Sequence, residues 1–191
     1  MPQVLNQSYD QLVEKAQVLF WTRGYKGVNA KELANCLDVS TSIIYNKFTK
    51  DMLFMDSLGY YTANYSDPFL KQLRETTEGL DSLKDFFYTL IDALLDKTFP
   101  KSCLMVNTVV EMRNTNKEIS DVYQRYFETL TNSYKVVLDK AIDLGQVKYP
   151  EKKDAYAEFL LGIIFSVSIL YKIQSKEQLR NFIDEQISLI E

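Results

Sequence analysis

The chain is predicted to be all-α, and three observations predict it. Glycine and proline are scarce, at 6 and 4 of 191 residues. Apolar side chains recur at helical spacing over long stretches, and no segment alternates strictly between apolar and polar positions. A chain of this length holds one or two domains with a sizeable core.

The elements follow in order. Tyr9, Leu12, Val13, Ala16, Leu19 and Phe20 share one helical stripe, and Gly24 follows as its terminator. Asn29 and Glu32 have the spacing of a capping box, ahead of an apolar side formed by Leu33, Ala34 and Leu37. Cys36 is read as a small inward-facing residue of this helix. Leu37, Asp38 and Val39 break the helix, and Ser40 is placed to cap the next. At about 100° per residue, Ile44 and Phe48 then point inward together, while Ser42 and Asn46 point the opposite way, flanked by Ile43 and Tyr45. A helix that only fills a core has no reason to expose an isoleucine beside Ser, Asn and Tyr, whereas a helix seated in a DNA major groove does. The plain alternative for this row is a solvated helix face.

A longer helix starting at Thr49 or Lys50 runs through Leu53, Leu58, Tyr61 and Tyr65. Ser66, Asp67 and Pro68 restart a helix with proline in the first turn, and Gly79 marks the next break. Residues 80–99 read as a helix with Leu83, Phe86, Phe87, Leu90, Leu94 and Leu95 inside, stopped by Pro100. Ser102 is placed to cap a helix over 103–112, Asn114 to Asn116 form a turn, and 119–144 make a long helix ended by Gly145. After a loop at Pro150, residues 154–173 and 176–190 form the last two helices. The most apolar run, 159–171, is too short to span a bilayer and reads as a buried helix.

Ala16, Leu19, Phe20, Gly24, Tyr25, Leu33, Ala34, Val39, Ser40, Ile44, Tyr45, Phe48, Lys50 and Leu53 occur in an order and spacing that resembles the amino-terminal helix-turn-helix signature of the tetracycline-repressor (TetR) family of bacterial transcriptional regulators. Asp38 stands where that family usually has Gly, so a left-handed backbone is expected there, which Asp tolerates better than most residues. The resemblance implies a helix-turn-helix domain over residues 1–49 and an effector-binding and dimerisation domain over 50–191. It also implies function: a ligand-responsive regulator, a repressor that leaves a palindromic operator when a small molecule binds. Asn29, Thr41, Ser42, Ile43, Tyr45, Asn46 and Lys50 are the candidate DNA contacts. Ser42 or Asn46 would meet a base edge and Ile43 a thymine methyl, while Tyr45 and Lys50 would hold phosphates.

In the family that this chain resembles, the carboxy-terminal helices enclose a ligand pocket and the last two pair with those of a second subunit. Phe86, Phe87, Cys103, Asn107, Glu111, Tyr123, Phe127 and Phe165 are the candidate effector contacts, for a small apolar or aromatic molecule. For the aromatics, and for Phe99, Tyr126 and Tyr134 beside them, plain core packing is the alternative. Phe159, Ile163, Leu170, Phe182, Ile183 and Ile187 are the candidate homodimer interface, because they offer more apolar surface than one small domain needs to bury. Ser102, Cys103, Leu104 and Asn107 are similar to a Gly-Cys-Leu-x-x-Asn pattern in one branch of the family, where some members sense electrophiles or oxidants through the cysteine. Ser102 takes the place of that glycine, and a buried small residue is the alternative reading of Cys103.

Composition narrows the remaining classes. The net charge is −4, yet residues 1–54 carry 6 Lys and Arg against 5 Asp and Glu, leaving 16 and 21 for the rest. The reading end is barely basic, so modest non-specific DNA affinity is expected, and a second reading stays open: a helical interaction module with degenerate DNA binding. Two cysteines without any histidine count against a zinc site and against a Cys–His nucleophile. There is no Gly-rich phosphate loop either, so neither enzyme chemistry nor a cofactor is expected. The amino terminus lacks the basic-then-apolar order of an export signal, which points to a cytoplasmic protein.

Overall fold

The computed structural model describes residues 7–96, 102–112 and 117–191. Among the described residues there are ten α-helices and no strand. They are α1 (Tyr9–Arg23), α2 (Ala30–Leu37), α3 (Thr41–Asn46), α4 (Lys50–Tyr61), α5 (Asp67–Glu75), α6 (Leu80–Leu95), α7 (Leu104–Met112), α8 (Lys117–Asp143), α9 (Lys153–Leu170) and α10 (Lys176–Ser188). The chain divides into two compact units, one of residues 1–66 and 104–123, the other of 67–103 and 124–191. The first unit thus takes in α4 and α7 together with the first three helices.

In the first unit, local signals set the helix ends. The Ser8 hydroxyl accepts from Gln11 N at 3.3 Å while Gln11 Oε1 accepts from Ser8 N at 2.9 Å. Asn29 Oδ1 accepts from Lys31 N and Glu32 N, both at 3.0 Å, and Glu32 Oε2 accepts from Asn29 N at 3.0 Å, the capping box that the spacing predicts. Asp38 ends α2 at φ 54° and ψ 48°, the left-handed conformation expected of it, with its N–H directed to the carbonyls of Ala34 and Asn35. Ser40 occupies the cap position of α3, but its side chain makes no capping hydrogen bond. Cys36 is exposed rather than inward, its Sγ 3.9 Å from the Lys15 carbonyl.

α1 lies along α4, and Leu12, Ala16, Phe20, Leu53, Phe54 and Leu58 between them are at most 1% exposed. Each large side chain buried in this way stabilises the unit by about 1.5–3 kcal/mol. Phe20 meets Phe54 edge-on at 5.1 Å, and Trp21 meets Tyr61 and Tyr65 edge-on at 4.9 and 5.2 Å. The expected restart at Ser66 to Pro68 is instead a π-helical turn, Thr62–Ser66, that carries α4 into α5 without leaving helical conformation. Pro68 lacks the N–H of a regular continuation, and the widened turn ahead of it accommodates that loss.

In the second unit, α6 and α10 pack against each other, and Leu83, Phe87, Ile91, Leu179, Ile183 and Ile187 are fully buried. Ile163 is 2% exposed. Ile163, Ile183 and Ile187, expected at a subunit interface, are therefore core residues of their own chain. Helical periodicity reveals an apolar face but not which surface covers it. Phe159, Leu170 and Phe182 are half-buried. Polar groups clasp the same pair of helices: Tyr88 Oη donates to Asp184, and Asp92 takes Lys176 Nζ at 2.7 Å and Arg180 Nη2 at 3.1 Å.

Gly79 opens α6 at φ 63°, and a Cβ there would lie 2.0 Å from Gln146 Oε1. That oxygen accepts from Leu80 N at 2.9 Å, while Gln146 Nε2 donates to Glu78 O at 3.3 Å, so one side chain pins the turn. α6 stops at Leu95, where Asp96 turns extended at φ −64° and ψ 124°. The expected helical end at Phe99, the stop at Pro100 and the turn at Asn114 to Asn116 lie outside the described residues. Ser102 adopts φ 85°, the conformation that favours the glycine of the related pattern. Its Oγ donates to Ser168 O at 3.4 Å, and α7 begins at Leu104. No helix of the described residues is long and apolar enough to cross a membrane.

Candidate nucleic-acid interface

Ile44 anchors α3 at 1% exposure. One buried side chain in a six-residue helix leaves the other faces outward, and Ser42, Tyr45, Asn46 and Lys47 are exposed while Thr41 and Ile43 are half-buried. Tyr45 is 69% exposed, so its ring is not a core residue. Asn46 Nδ2 donates to Ser42 O at 2.9 Å and lies 3.1 Å from Ser42 Oγ, one helical turn back. This internal bond orients the amide and leaves Oδ1 as an acceptor facing out. Ser42 and Asn46 thus form one polar surface beside Tyr45, and the helix offers hydrogen-bonding groups at the spacing of adjacent turns.

The remaining expected contacts differ in setting. Asn29 is exposed, but its Oδ1 is committed to capping α2. Lys50 Nζ sits 3.9 Å from the centroid of the Tyr25 ring, and burial pulls its pKa below the usual lysine value. Its ammonium is therefore seated on an aromatic face of its own unit, not extended toward solvent. Lys47 follows Asn46 directly and is exposed, with Nζ 4.9 Å from the centroid of Phe48. Lys47 is a further exposed cation beside α3, and its position straight after that helix is the sequence signal for it. Phe48, expected inward with Ile44, is half-buried and tilts against Tyr9 at 5.0 Å.

Behind this surface, Glu111 of α7 reaches the end of α1. Its Oε2 accepts from Tyr25 N at 2.8 Å and its Oε1 from Lys26 N at 2.5 Å. Gly24 precedes these amides at φ 72°, and a Cβ there would lie 2.7 Å from the same carboxylate. Glu111, expected at the effector, thus holds the loop after α1 instead. The sequence carries no local sign of this, because the partners lie more than eighty positions apart.

The other expected effector residues fall in both units. Asn107 and Tyr123, both half-buried, belong to the first, with Tyr123 Oη donating to Ser120 Oγ at 3.0 Å. Phe86, Phe87, Cys103, Phe127 and Phe165 belong to the second. There Phe86 meets Phe87 at 5.3 Å and Tyr134 at 5.9 Å, and Phe127 packs on Phe165 at 5.0 Å. Cys103 is 5% exposed, with Sγ 3.8 Å from Tyr126 Oη. Tyr134 Oη is buried beside them without a hydrogen-bond partner, and burial raises its pKa well above the usual phenol value. A thiol packed in this way matches the core reading of Cys103 more closely than that of an accessible nucleophile. Among the described residues no cluster of side chains could hold a metal ion.

An all-α chain whose short third helix presents a polar, aromatic row from a packed three-helix base has the build of a helix-turn-helix regulator. The family profile described as "Tetracyclin repressor-like, C-terminal domain" matches residues 79–185. The chain belongs to this TetR family, whose members are DNA-binding transcriptional regulators and not enzymes. It is 21% identical over 191 residues to the uncharacterized HTH-type transcriptional regulator YezE of Bacillus subtilis, covering 97% of this chain and 98% of that one. It is 24% identical over 162 residues to the HTH-type transcriptional repressor ComR of Escherichia coli, covering 84% of this chain and 77% of that one. Its fold is that of the TetR family regulator CifR solved as a cysteine mutant with 26-base-pair operator DNA, at a TM-score of 0.84 and 16% identity over 97% of this chain and 98% of that one.

Proposed function

We propose that this chain is a cytoplasmic, ligand-responsive repressor that binds a palindromic operator as a homodimer and leaves it when a small apolar or aromatic molecule binds. The observation that carries the DNA-reading part is the outward row of Ser42, Asn46 and Tyr45 over a buried Ile44, with the Asn46 amide oriented by Ser42. In this reading Asn46 or Ser42 meets a base edge, Ile43 a thymine methyl, and Tyr45 with Lys47 the phosphates. Functionally, residues 1–49 read DNA and residues 50–191 carry the effector and dimer surfaces. Phe159, Leu170 and Phe182 contribute to the dimer contact, and the exposed Ile169 and Ile173, at 55% and 78% exposure, extend it. The effector is held by aromatics of the second unit, such as Phe86, Phe127 and Phe165. The CifR complex with operator DNA supports this reading by fold.

The test is fluorescence anisotropy on double-stranded DNA selected from a random pool, against a scrambled fragment, at two salt concentrations. Tight, salt-weakened preference for the selected DNA is the expected result. A second reading, an interaction module with degenerate DNA binding, is favoured by one observation: the Lys50 ammonium rests on Tyr25 rather than in solvent. Equal, weak binding to both fragments would support it.

A further inference from the structure

On the regulator reading above, we infer that Glu111 is a positioning residue for DNA reading: from α7 it sets the loop that fixes α2 and α3, without touching the reading surface. Glu111, α7 and the first four helices all belong to the first unit. The half-buried Glu111 places one carboxylate oxygen on each of two consecutive amides, Tyr25 N at 2.8 Å and Lys26 N at 2.5 Å. A carboxylate is a stronger acceptor for an amide than a neutral oxygen. Gly24 makes room for it. Its φ of 72° is one that glycine adopts freely, and a Cβ there would lie 2.7 Å from Glu111 Oε2.

From these two amides the geometry passes to both ends of α3. On one side, Tyr25 O accepts from Val28 N at 3.3 Å, Val28 is 1% exposed, and the next residue, Asn29, caps α2. α2 then leads through the left-handed Asp38 into α3. On the other side, the Tyr25 ring lies 5.0 Å from that of Phe54 and 3.9 Å from Lys50 Nζ, and its Oη donates to Asp51. Lys50, Asp51 and Phe54 belong to the start of α4, which begins just after α3. Side chains that recognise a ligand tolerate only about 0.5 Å of misplacement, so a group that brackets α3 bears on reading from behind the surface.

The experiment is fluorescence anisotropy of the full chain on selected and scrambled DNA, with Glu111→Ala, Glu111→Gln, Asn46→Ala and the double variants, at a temperature where thermal unfolding shows each to be folded. Glu111→Ala is expected to weaken binding to the selected DNA about tenfold and to the scrambled DNA less than about twofold, with Glu111→Gln between parent and alanine on the selected DNA. In the Asn46→Ala background the same change should cost less than about threefold, because the base contact that it would misplace is already gone. A merely structural residue gives one factor in both backgrounds and on both DNAs. If Glu111→Ala does not fold, Glu111→Gln carries the same comparisons with smaller factors. Equal loss on both DNAs, a loss undiminished by Asn46→Ala, or no loss at all would each overturn the proposal and leave the parent's preference for the selected DNA standing. A parent without that preference would sink the regulator reading itself, and the role of Glu111 with it.

Discussion

The carboxylate of Glu111 closes on the backbone of Tyr25: Oε2 accepts from Tyr25 N at 2.8 Å, and Oε1 takes the next amide, Lys26 N, at 2.5 Å. The loop after α1 has no ladder to pair its amides, and here an acidic side chain from α7 satisfies two of its N–H groups. The contact ties the loop that positions α2, and so α3, to a helix distant in sequence.

Removing that carboxylate takes the acceptor from two donors, Tyr25 N in a part-buried bond and Lys26 N in an exposed one. Glu111→Ala is expected to destabilise the chain by about 1–3 kcal/mol, and Glu111→Gln, which keeps one acceptor, by less. Urea unfolding of the two variants beside the parent checks the order. Equal stability of all three would mean that water replaces the carboxylate at no cost.

Asp38 sits in the left-handed region at φ 54° and ψ 48°. Glycine adopts this conformation without a Cβ penalty, although it also loosens the unfolded chain. Asp38→Gly is therefore expected to stabilise by about 0.5 kcal/mol, and Asp38→Val, a β-branched residue, to destabilise by about 1–2 kcal/mol. Thermal midpoints of the pair read the sign directly.

At Gly79 the strain is both local and contact-borne. A Cβ would lie 2.0 Å from Gln146 Oε1 and 3.0 Å from Ala141 Cα, at a φ of 63°. Gly79→Ala is expected to cost about 2–3 kcal/mol, and adding Gln146→Ala should recover only the side-chain part, since the backbone conformation and Ala141 remain. A double-mutant cycle in denaturant measures that coupling.

Alkaline pH should unfold the protein through its phenols. Burial and the hydrogen bond to Asp51 push Tyr25 up to about 12, and burial with Asp184 does the same for Tyr88. Both raised values mean that the folded state holds these protons more tightly than the unfolded chain, whose tyrosines titrate near pH 10. Their contribution is complete below about pH 10 and is lost as pH climbs toward about 12. Unfolding midpoints should fall across that window, and Tyr25→Phe with Tyr88→Phe should flatten the fall.

Local signals explain which features were legible in sequence. Asn29 with Glu32, Gly24, Gly145 and the left-handed Asp38 each depend on neighbours a few positions away, and the structure places them as expected. Ile183 and Ile187 were misplaced because an apolar stripe looks the same whether α6 or a second subunit covers it. Lys50 and Glu111 were misplaced for another reason: their partners, Tyr25 and the Tyr25–Lys26 amides, come close only in the folded unit. The two faces of α3 were legible, because Ile44 inward with Ser42 and Asn46 outward is a pattern within six residues.

The measurement that tests the central claim most directly compares the chain and its Asn46→Ala variant on selected and scrambled DNA by anisotropy at one salt concentration. If α3 reads bases, the variant loses about 1–3 kcal/mol on the selected site and almost nothing on the scrambled one. An equal loss on both, or no loss on either, would contradict base reading by Asn46 and place the row of α3 among ordinary solvated helix faces.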